Sequence, residues 1–265
     1  MKIIAGPCQL ESSEHAIEIA SALKELCDKY DFEYYFKSSY DKANRTSIHG
    51  KRGPGIFQGI QWLSDVRDEV GCKVITDVHE TWQIKEIISV ADVIQIPAFL
   101  CRQTDLIVRS VELASLTDKI VNIKKGQFLA PSEMKNVVKK ASASGNETIM
   151  VCERGFSFGY NNLVSDMRSL EVMKDTGCPV IFDATHSVQM PGGLGQASGG
   201  QREMVPVLAR AAVAVGISGL FVECHPEPDQ ALSDGPNSWP LKKMENLLET
   251  VLSIDSVIKQ KSLQF

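Results

Sequence analysis

The chain has 265 residues, of which 43% are hydrophobic and 23% charged, and its formal net charge is −5. This apolar content excludes a disordered chain, and the longest apolar stretch, residues 211–222, is too short to span a membrane. The acidic balance argues against nucleic acid as the main partner, although a locally cationic pocket can still bind a small anion. Because no basic tract precedes an apolar segment at Met1, we expect a cytoplasmic protein.

Short β-branched runs recur along the chain, and amphipathic stretches with helical spacing separate them. The runs predict eight strands, at residues 2–5, 34–37, 73–77, 93–96, 120–123, 148–152, 180–183 and 220–223. A serine pair at residues 12–13 is a plausible cap for the first helix, and a long apolar-periodic stretch at 247–257 predicts a closing helix. Eight strand–helix units in this length predict one domain, residues 1–265, folded as an α/β (β/α)₈ TIM barrel.

The alternative architecture is an open, doubly wound sheet, which normally carries a glycine-rich nucleotide fingerprint. The chain has no such motif: Ser198 stands where the fingerprint after Gly193 needs glycine, and no Walker-type loop occurs. The pair His79-Glu80 begins a zinc-protease pattern, but Gln83 replaces its second histidine. Dinucleotide, P-loop and zinc-protease chemistries are therefore not indicated.

The seven cysteines are odd in number, scattered and without a CxxC motif, so a disulfide framework is not expected. Most are predicted to be buried small hydrophobes, leaving one or two for chemistry. They are Cys8, Cys27, Cys72, Cys101, Cys152, Cys178 and Cys224.

Every predicted strand ends in polar residues, and barrel enzymes carry their chemistry at these carboxyl ends. A single polar residue after a strand is usually a turn residue or a helix cap, but eight around one rim indicate a site. The strand-end residues are Cys8, Glu11, Lys37, Asp77, His79, Gln95, Lys124, Lys125, Glu153, Arg154, Asp183, His186, Glu223 and His225.

Two features of this rim suggest specific ligands. The basic segments 41–46 and 51–55 have the groups that bind phosphate or carboxylate. Taken alone they would usually be solvated basic loops, but Lys124, Arg154 and Arg102 at other strand ends can converge on the same mouth, which favours an anion site. Thiolate, imidazole and two carboxylates suit a divalent transition ion. The candidate ligands are Cys8, His186, Glu223 and Asp234. Barrel closure brings the ends of the first, seventh and eighth strands together, but the sequence spacing of these residues alone is only a weak indication of a metal site.

The segment 187–201 is too glycine-rich for us to expect regular structure. It is either a flexible connector or a mobile lid that excludes water from the barrel mouth during reaction.

The motifs along nearly the whole chain resemble those of the 3-deoxy-D-manno-octulosonate 8-phosphate synthase family. The segment 41–46 and the Phe-Gly-Tyr-Asn-Asn-Leu segment favour this family over the sister 3-deoxy-D-arabino-heptulosonate 7-phosphate synthases. The matching segments are Ala5-Gly6-Pro7-Cys8, Asp41-Lys42-Ala43-Asn44-Arg45, Gly53-Pro54-Gly55, Thr76-Asp77-Val78-His79-Glu80, Gln95-Ile96-Pro97-Ala98-Phe99-Leu100, Asn122-Ile123-Lys124-Lys125-Gly126-Gln127-Phe128, Glu153-Arg154-Gly155, Phe158-Gly159-Tyr160-Asn161-Asn162-Leu163, Asp183-Ala184-Thr185-His186-Ser187 and Ser233-Asp234-Gly235-Pro236.

The resemblance implies a homotetrameric barrel that condenses phosphoenolpyruvate with arabinose 5-phosphate for lipopolysaccharide synthesis. It implies catalytic roles for Lys42, His186 and Asp234. Phosphoenolpyruvate contacts are implied for Lys42, Lys124, Arg154 and His186, with Gln95 nearby. Arabinose 5-phosphate contacts are implied for Asn44, Arg45, Thr46 and, from its own or a neighbouring subunit, Arg102; the remaining implied substrate residues are Lys37, Ser39, Asp77 and Phe99.

The family has a metal-dependent class with cysteine after Gly-Pro and a metal-independent class with asparagine at that position. This chain has Cys8 there, so it resembles the metal-dependent class, with Cys8, His186, Glu223 and Asp234 as ligands. Zn, Fe, Mn, Co and Cd are all compatible with such a set. Two alternatives stay open: a heptulosonate synthase that uses a shorter aldose phosphate, and a catalytically silent barrel that binds phosphosugars.

Overall fold

The structure, a computed structural model, describes residues 1–45, 47–143, 148–193 and 198–260. In this part of the chain, eight parallel strands form the barrel. The first and last residues of each strand differ by at most one position from the predicted bounds, except in the eighth strand, which is longer than predicted. The strands are β1 Lys2–Gly6, β2 Glu33–Lys37, β3 Lys73–Asp77, β4 Val93–Ile96, β5 Ile120–Lys124, β6 Ile149–Glu153, β7 Val180–Asp183 and β8 Gly219–His225.

A helix follows each strand, so the predicted (β/α)₈ architecture is confirmed and the open sheet is excluded. Ser12 caps the first helix as predicted, since its side chain accepts the backbone N–H of His15 at 3.1 Å. Among the described residues the eight α-helices are α1 Ser13–Lys29, α2 Ile56–Val70, α3 Thr81–Ile87, α4 Thr104–Thr117, α5 Met134–Ser142, α6 Arg168–Lys174, α7 Val205–Val215 and α8 Met244–Gln260.

Pairing between the first and last strands closes the barrel. Each strand is parallel to the next, from β1 to β8, and β8 pairs with β1 in a register that runs from Lys2 opposite Gly219 to Gly6 opposite Glu223. The carboxyl ends of β1, β7 and β8 are therefore neighbours, as the sequence predicted for Cys8, His186 and Glu223.

Apolar side chains pack in two places. Alternate strand residues point inward and fill the barrel, as Ile4, Tyr35, Ile75 and Phe221 do. The intervening residues, such as Ile3 and Ala5, pack outward against the apolar faces of the helices. Burial on both faces explains why these parallel strands are apolar almost throughout.

Gly6 allows the ends of β1 and β2 to approach closely. A Cβ atom built there would lie 2.2 Å from the backbone oxygen of Lys37, a separation that packed atoms do not tolerate. The absence of a side chain thus sets the distance between the Cys8 segment and the end of β2.

The segment 187–201 is more regular than its glycine content suggested. Gln189–Met190 pairs antiparallel with Gly199–Gly200, while residues 194–197 lie outside the described part of the chain. Glycine is needed here for packing, because a Cβ on Gly200 would overlap the Asn237 side chain. The prediction of an irregular segment was therefore wrong at its ends; whether the segment acts as a lid stays a prediction.

No helix among the described residues is both long and apolar enough to cross a membrane. The cysteines are all free, and six of the seven are buried, with Cys178 partly exposed. No disulfide links any two of them in the structure.

Candidate functional site

A cavity of about 740 Å³ lies at the carboxyl ends of the strands. It collects side chains from β2, β3, β4 and β5 and from the loops that follow β2, β6, β7 and β8. The predicted site residues that line it are Lys37, Lys42, Asn44, Arg45, Asp77, Gln95, Phe99, Lys124, Arg154, His186 and Asp234.

The other predicted residues lie elsewhere. Cys8 and Glu223 are buried beside the cavity lining, and Ser39 is buried against Asp77, to which its hydroxyl donates a hydrogen bond. Arg102 is exposed and does not line this cavity. Thr46 lies outside the described residues.

Arg154 is a buried cation that keeps a free donor. Its side chain is attached just after β6, it is only 5% exposed, and its Nη1 has no hydrogen-bond partner among the described residues. Burial lowers the pKa of this guanidinium, although Asp183 and Asp234 act in the opposite direction. A buried donor without a partner is costly, so a substrate carboxylate or phosphate is its natural acceptor.

Asp183 organises two of the predicted phosphoenolpyruvate ligands. Its fully buried carboxylate accepts Lys124 Nζ at 2.6 Å and contacts His186 Nδ1 at 2.7 Å. Burial alone would lower the pKa of both cationic groups, but the Asp183 charge raises it for each. Asp183 therefore keeps Lys124 charged and fixes the orientation of the imidazole.

The imidazole of His186 turns its other nitrogen toward two carboxylates. His186 Nε2 lies 3.5 Å from Glu223 Oε2 and 3.8 Å from Asp234 Oδ2. Cys8 Sγ is 3.2 Å from Asp234 Oδ2, and one ligand atom each from Cys8, Glu223 and Asp234 lie within 4.8 Å of one another. The sequence-predicted ligands are thus brought together, with His186 beside two of them.

This donor set fits a divalent transition ion. It offers sulfur, nitrogen and carboxylate oxygen, and Asp183 supplies the outer hydrogen bond that metal-binding histidines usually make. Burial and the charge of Glu223 raise the pKa of the Cys8 thiol well above its ordinary value, so without an ion the sulfur is protonated and donates to Asp234. Binding of an ion would release this proton.

Buried ion pairs and hydrogen bonds form the floor of the cavity. Lys37 Nζ donates to Glu223 Oε1 at 2.6 Å, with both side chains almost fully buried. Asp77 accepts hydrogen bonds from Ser39 and Gln95. Burial alone would raise the pKa of Asp77, but Lys37 and Lys42 hold it well below its usual range.

Lys42 stays charged for a related reason. Withdrawal from water would lower its pKa, but the groups of Cys8, Glu223 and Asp77 raise it above the ordinary lysine value. A cation that interacts with three of the predicted metal ligands therefore lines the cavity.

Arg45 joins two loops across the mouth. Its guanidinium donates to Gln9 Oε1 at 2.7 Å and to Ser233 Oγ at 2.9 Å, and also to the backbone oxygen of Leu232 at 3.2 Å. The loop after β2 is thereby linked to the loop that carries Asp234.

A second group of possible metal ligands, Glu11, His15 and His225, lies just outside the cavity. His225 Nδ1 accepts the backbone N–H of Glu227 at 3.0 Å, so in the neutral ring Nε2 carries the proton. That nitrogen lies 3.4 Å from Glu11 Oε1. With Nδ1 engaged in this hydrogen bond and the proton on Nε2, the neutral ring has no free lone pair for an ion.

Two site residues were missed in the sequence. Asp183 was identified as a strand-end residue but given no role, although its position three residues before His186 was a usable signal. Gln189, which also lines the cavity, lies in the glycine-rich segment, where no periodicity or motif distinguished it.

Comparison with known proteins identifies the family. A sequence model of the DAHP synthetase I family matches residues 1–260. A protein named 2-dehydro-3-deoxyphosphooctonate aldolase from Legionella pneumophila (strain Corby) is 60% identical over 263 residues, which cover 99% of this chain and 94% of the relative. A protein of the same name from Stenotrophomonas maltophilia (strain K279a) is 64% identical over 258 residues, which cover 97% of this chain and 92% of the relative. A third, from Xanthomonas campestris pv. campestris (strain B100), is 62% identical over 258 residues, with the same coverage. The chain belongs to the DAHP synthetase I family and, within it, to the 2-dehydro-3-deoxyphosphooctonate aldolases.

Proposed function

We propose that the chain condenses phosphoenolpyruvate with D-arabinose 5-phosphate, giving 3-deoxy-D-manno-octulosonate 8-phosphate and inorganic phosphate for lipopolysaccharide synthesis. The relatives' name describes an aldolase for a phosphorylated eight-carbon sugar acid. The observation that carries the proposal is one cavity in which Lys42, Lys124 and Arg154 converge beside the Cys8, Glu223 and Asp234 group.

The cations answer the main physical difficulty of this reaction, which is the mutual repulsion of two phosphorylated substrates. We assign phosphoenolpyruvate to Lys42, Lys124, Arg154 and His186, with Gln95 nearby. Arg154 supports this assignment, because its Nη1 has no partner within the described part of the chain. Asn44, Arg45 and Thr46 are assigned to arabinose 5-phosphate. Fixed cations in a cavity neutralise the two anions and hold them in the orientation needed for reaction. No reorganisation of water is then required during the reaction.

The chemistry forms one carbon–carbon bond, and at carbon 2 a carbon–oxygen bond to water replaces the carbon–oxygen bond to phosphate. Carbon 3 of phosphoenolpyruvate attacks the aldehyde carbon of arabinose 5-phosphate, whose oxygen takes up a proton. Water adds its oxygen to carbon 2, and the resulting hemiketal phosphate loses inorganic phosphate to give the keto acid. Lys42, His186 and Asp234 are the proposed catalytic residues, because they are titratable side chains that line the cavity and can donate and accept protons.

We also propose that Cys8, His186, Glu223 and Asp234 hold a divalent ion, with Zn, Fe, Mn, Co and Cd as candidates. Such an ion supplies Lewis-acid polarisation or orientation of an oxygen atom. The chain's own residues prepare this position: Asp183 orients the His186 ring, and Lys37 holds one oxygen of Glu223.

A phosphate-release assay tests the function. Purified protein with phosphoenolpyruvate and a divalent ion should release phosphate with arabinose 5-phosphate and much more slowly with erythrose 4-phosphate. The reverse preference would identify a heptulosonate synthase. Binding of phosphoenolpyruvate without turnover of either aldose would instead identify a silent barrel.

We further propose that residues 1–265 form one domain that assembles into a cytoplasmic homotetramer. Arg102 supports the assembly, because it is exposed and outside the cavity of its own chain, where it can reach the arabinose 5-phosphate of a neighbouring subunit. Seven free cysteines suit a reducing compartment. Mass photometry tests the assembly, since about four times the 29.1 kDa chain mass is expected.

A further inference from the structure

Gln189 connects two groups of opposite charge in the cavity. Its Oε1 accepts a hydrogen bond from Arg154 Nη2 at 2.8 Å, and its Nε2 donates to Asp234 Oδ1 at 3.1 Å. The neutral amide thus touches a buried guanidinium with one end and a carboxylate with the other. Among the described residues no ion pair joins Arg154 to any carboxylate.

The two charged partners have a strong reason to meet. Arg154 is 5% exposed and the Asp234 side chain 17% exposed, so little water screens their attraction. A direct pair between them would occupy the cation that a substrate anion needs and the carboxylate placed beside Cys8.

The backbone holds Gln189 in position between them. It directly follows the short helical turn His186–Val188, and with Met190 it pairs with Gly199–Gly200. The backbone N–H of Gln201 also donates to the oxygen of Val188 at 3.0 Å. Because these bonds fix the main chain on both sides, the amide cannot easily withdraw.

We infer that Gln189 is a positioning residue that keeps Arg154 and Asp234 apart, so that the guanidinium remains free for phosphoenolpyruvate. The inference rests on the proposed function, because it takes phosphoenolpyruvate as the anion that Arg154 binds. A neutral group with an acceptor and a donor suits this task. A carboxylate at position 189 would pair with Arg154, and an ammonium would pair with Asp234.

Calorimetric binding of phosphoenolpyruvate to the full-length protein tests the inference. Gln189→Met keeps the length of the side chain and removes both hydrogen bonds. Its dissociation constant for phosphoenolpyruvate should rise about tenfold, the scale of one lost hydrogen bond to a charged group. Gln61→Met is the matched control, because Gln61 Nε2 also donates to an aspartate, Asp65, at 2.8 Å, but on the exposed face of α2. This variant should bind phosphoenolpyruvate with the dissociation constant of the wild type.

A second background separates this role from a general effect on the structure. In Asp234→Asn protein Arg154 has lost the carboxylate from which Gln189 separates it, so adding Gln189→Met should change the dissociation constant less than twofold. A tenfold rise in both backgrounds would mean that Gln189 only orients Arg154, and this would overturn the inference. Thermal unfolding of each variant confirms that the compared proteins are folded.

The proposed function and this inference fail in different ways. Wild-type protein that does not bind phosphoenolpyruvate contradicts both. Wild-type protein that binds it, with Gln189→Met binding within twofold of the wild type, contradicts only the role of Gln189.

Discussion

At the scale of single residues, Asp183 shows how one buried carboxylate can control the charge or orientation of two neighbouring side chains. It is fully buried, yet it sets both the charge of Lys124 and the orientation of His186. Such outer partners often matter nearly as much as the ligands they orient.

We therefore expect Asp183→Asn to lower kcat/KM for phosphoenolpyruvate by about a hundredfold, the upper range for loss of an orienting partner. Asp175→Asn is the control, because Asp175 also pairs with a lysine, Lys135 at 2.8 Å, but at an exposed position; it should stay within twofold of the wild type. Steady-state kinetics of both variants checks this. Wild-type kcat/KM in Asp183→Asn would show that Asp183 is not needed to prepare the site.

Glu223 gives a prediction for pH. Burial alone would raise its pKa, but Lys37, His186 and Lys42 lower it to about 2 from an ordinary value of 4.5. A carboxyl with a lowered folded-state pKa stabilises the fold above its unfolded pKa, and this contribution is lost as the pH falls from about 4.5 towards 2. For a side chain this buried, the shift corresponds to about 3 kcal/mol.

Urea unfolding of metal-free protein measures this contribution. At pH 7 Glu223→Gln should be less stable than the wild type by about 3 kcal/mol, and the difference should shrink steadily as the pH is lowered below 4.5. A difference that is the same at pH 7 and pH 3 would show that the ionisation of Glu223 does not stabilise the fold.

At the scale of elements, the strands were predictable because each is a short β-branched run buried on both faces. The polar strand ends were equally visible, so most of the cavity lining could be named in advance. The sequence did not reveal what depends on contacts between distant loops. Arg45 bound to Ser233 and Leu232, and Gln189 between Arg154 and Asp234, have no local pattern, and the ends of segment 187–201 pair despite their glycines.

The approach of β1 to β2 yields a test at this scale. Gly6→Ala places a Cβ 2.2 Å from a backbone oxygen, so the strand ends must separate and move Cys8. We expect a loss of several kcal/mol in the free energy of unfolding, on the order of 3 kcal/mol, together with weaker metal binding.

Gly216→Ala is the comparison for this variant. Gly216 ends α7 with φ 85° and has only ordinary contacts for an added Cβ, the nearest at 3.5 Å. It should cost about 1 kcal/mol from its left-handed backbone and leave metal binding unchanged. Denaturant unfolding and metal titration of both variants decide the matter, and equal effects on metal binding would contradict the role given to Gly6.

At the scale of the whole molecule, an acidic chain encloses a cationic cavity. The net charge of −5 describes the surface as a whole, whereas Lys37, Lys42, Lys124, Arg45 and Arg154 line one mouth. The net charge of the chain therefore predicted neither the sign of the charge in the cavity nor the ligand that the cavity binds. The positions of the polar strand ends around a closed barrel were the informative feature.

Metal removal tests the proposed ligand set in the whole protein. Treatment with a chelator should abolish phosphate release and lower the thermal midpoint, because an ion that binds only the folded state stabilises it. Added divalent ion should restore both. Full activity after complete removal of metal, verified by elemental analysis, would rule out the metal proposal.

The register between β1 and β8 has a consequence for the synthesis of the chain. Cys8 leaves the ribosome more than 200 residues before Glu223 and Asp234, as their positions in the sequence show. Since β8 is the strand that pairs with β1, a nascent chain has no complete ligand set until the barrel is nearly finished. An ion held by these residues would then link the segment after β1 to the loop after β8 once the two strands have paired.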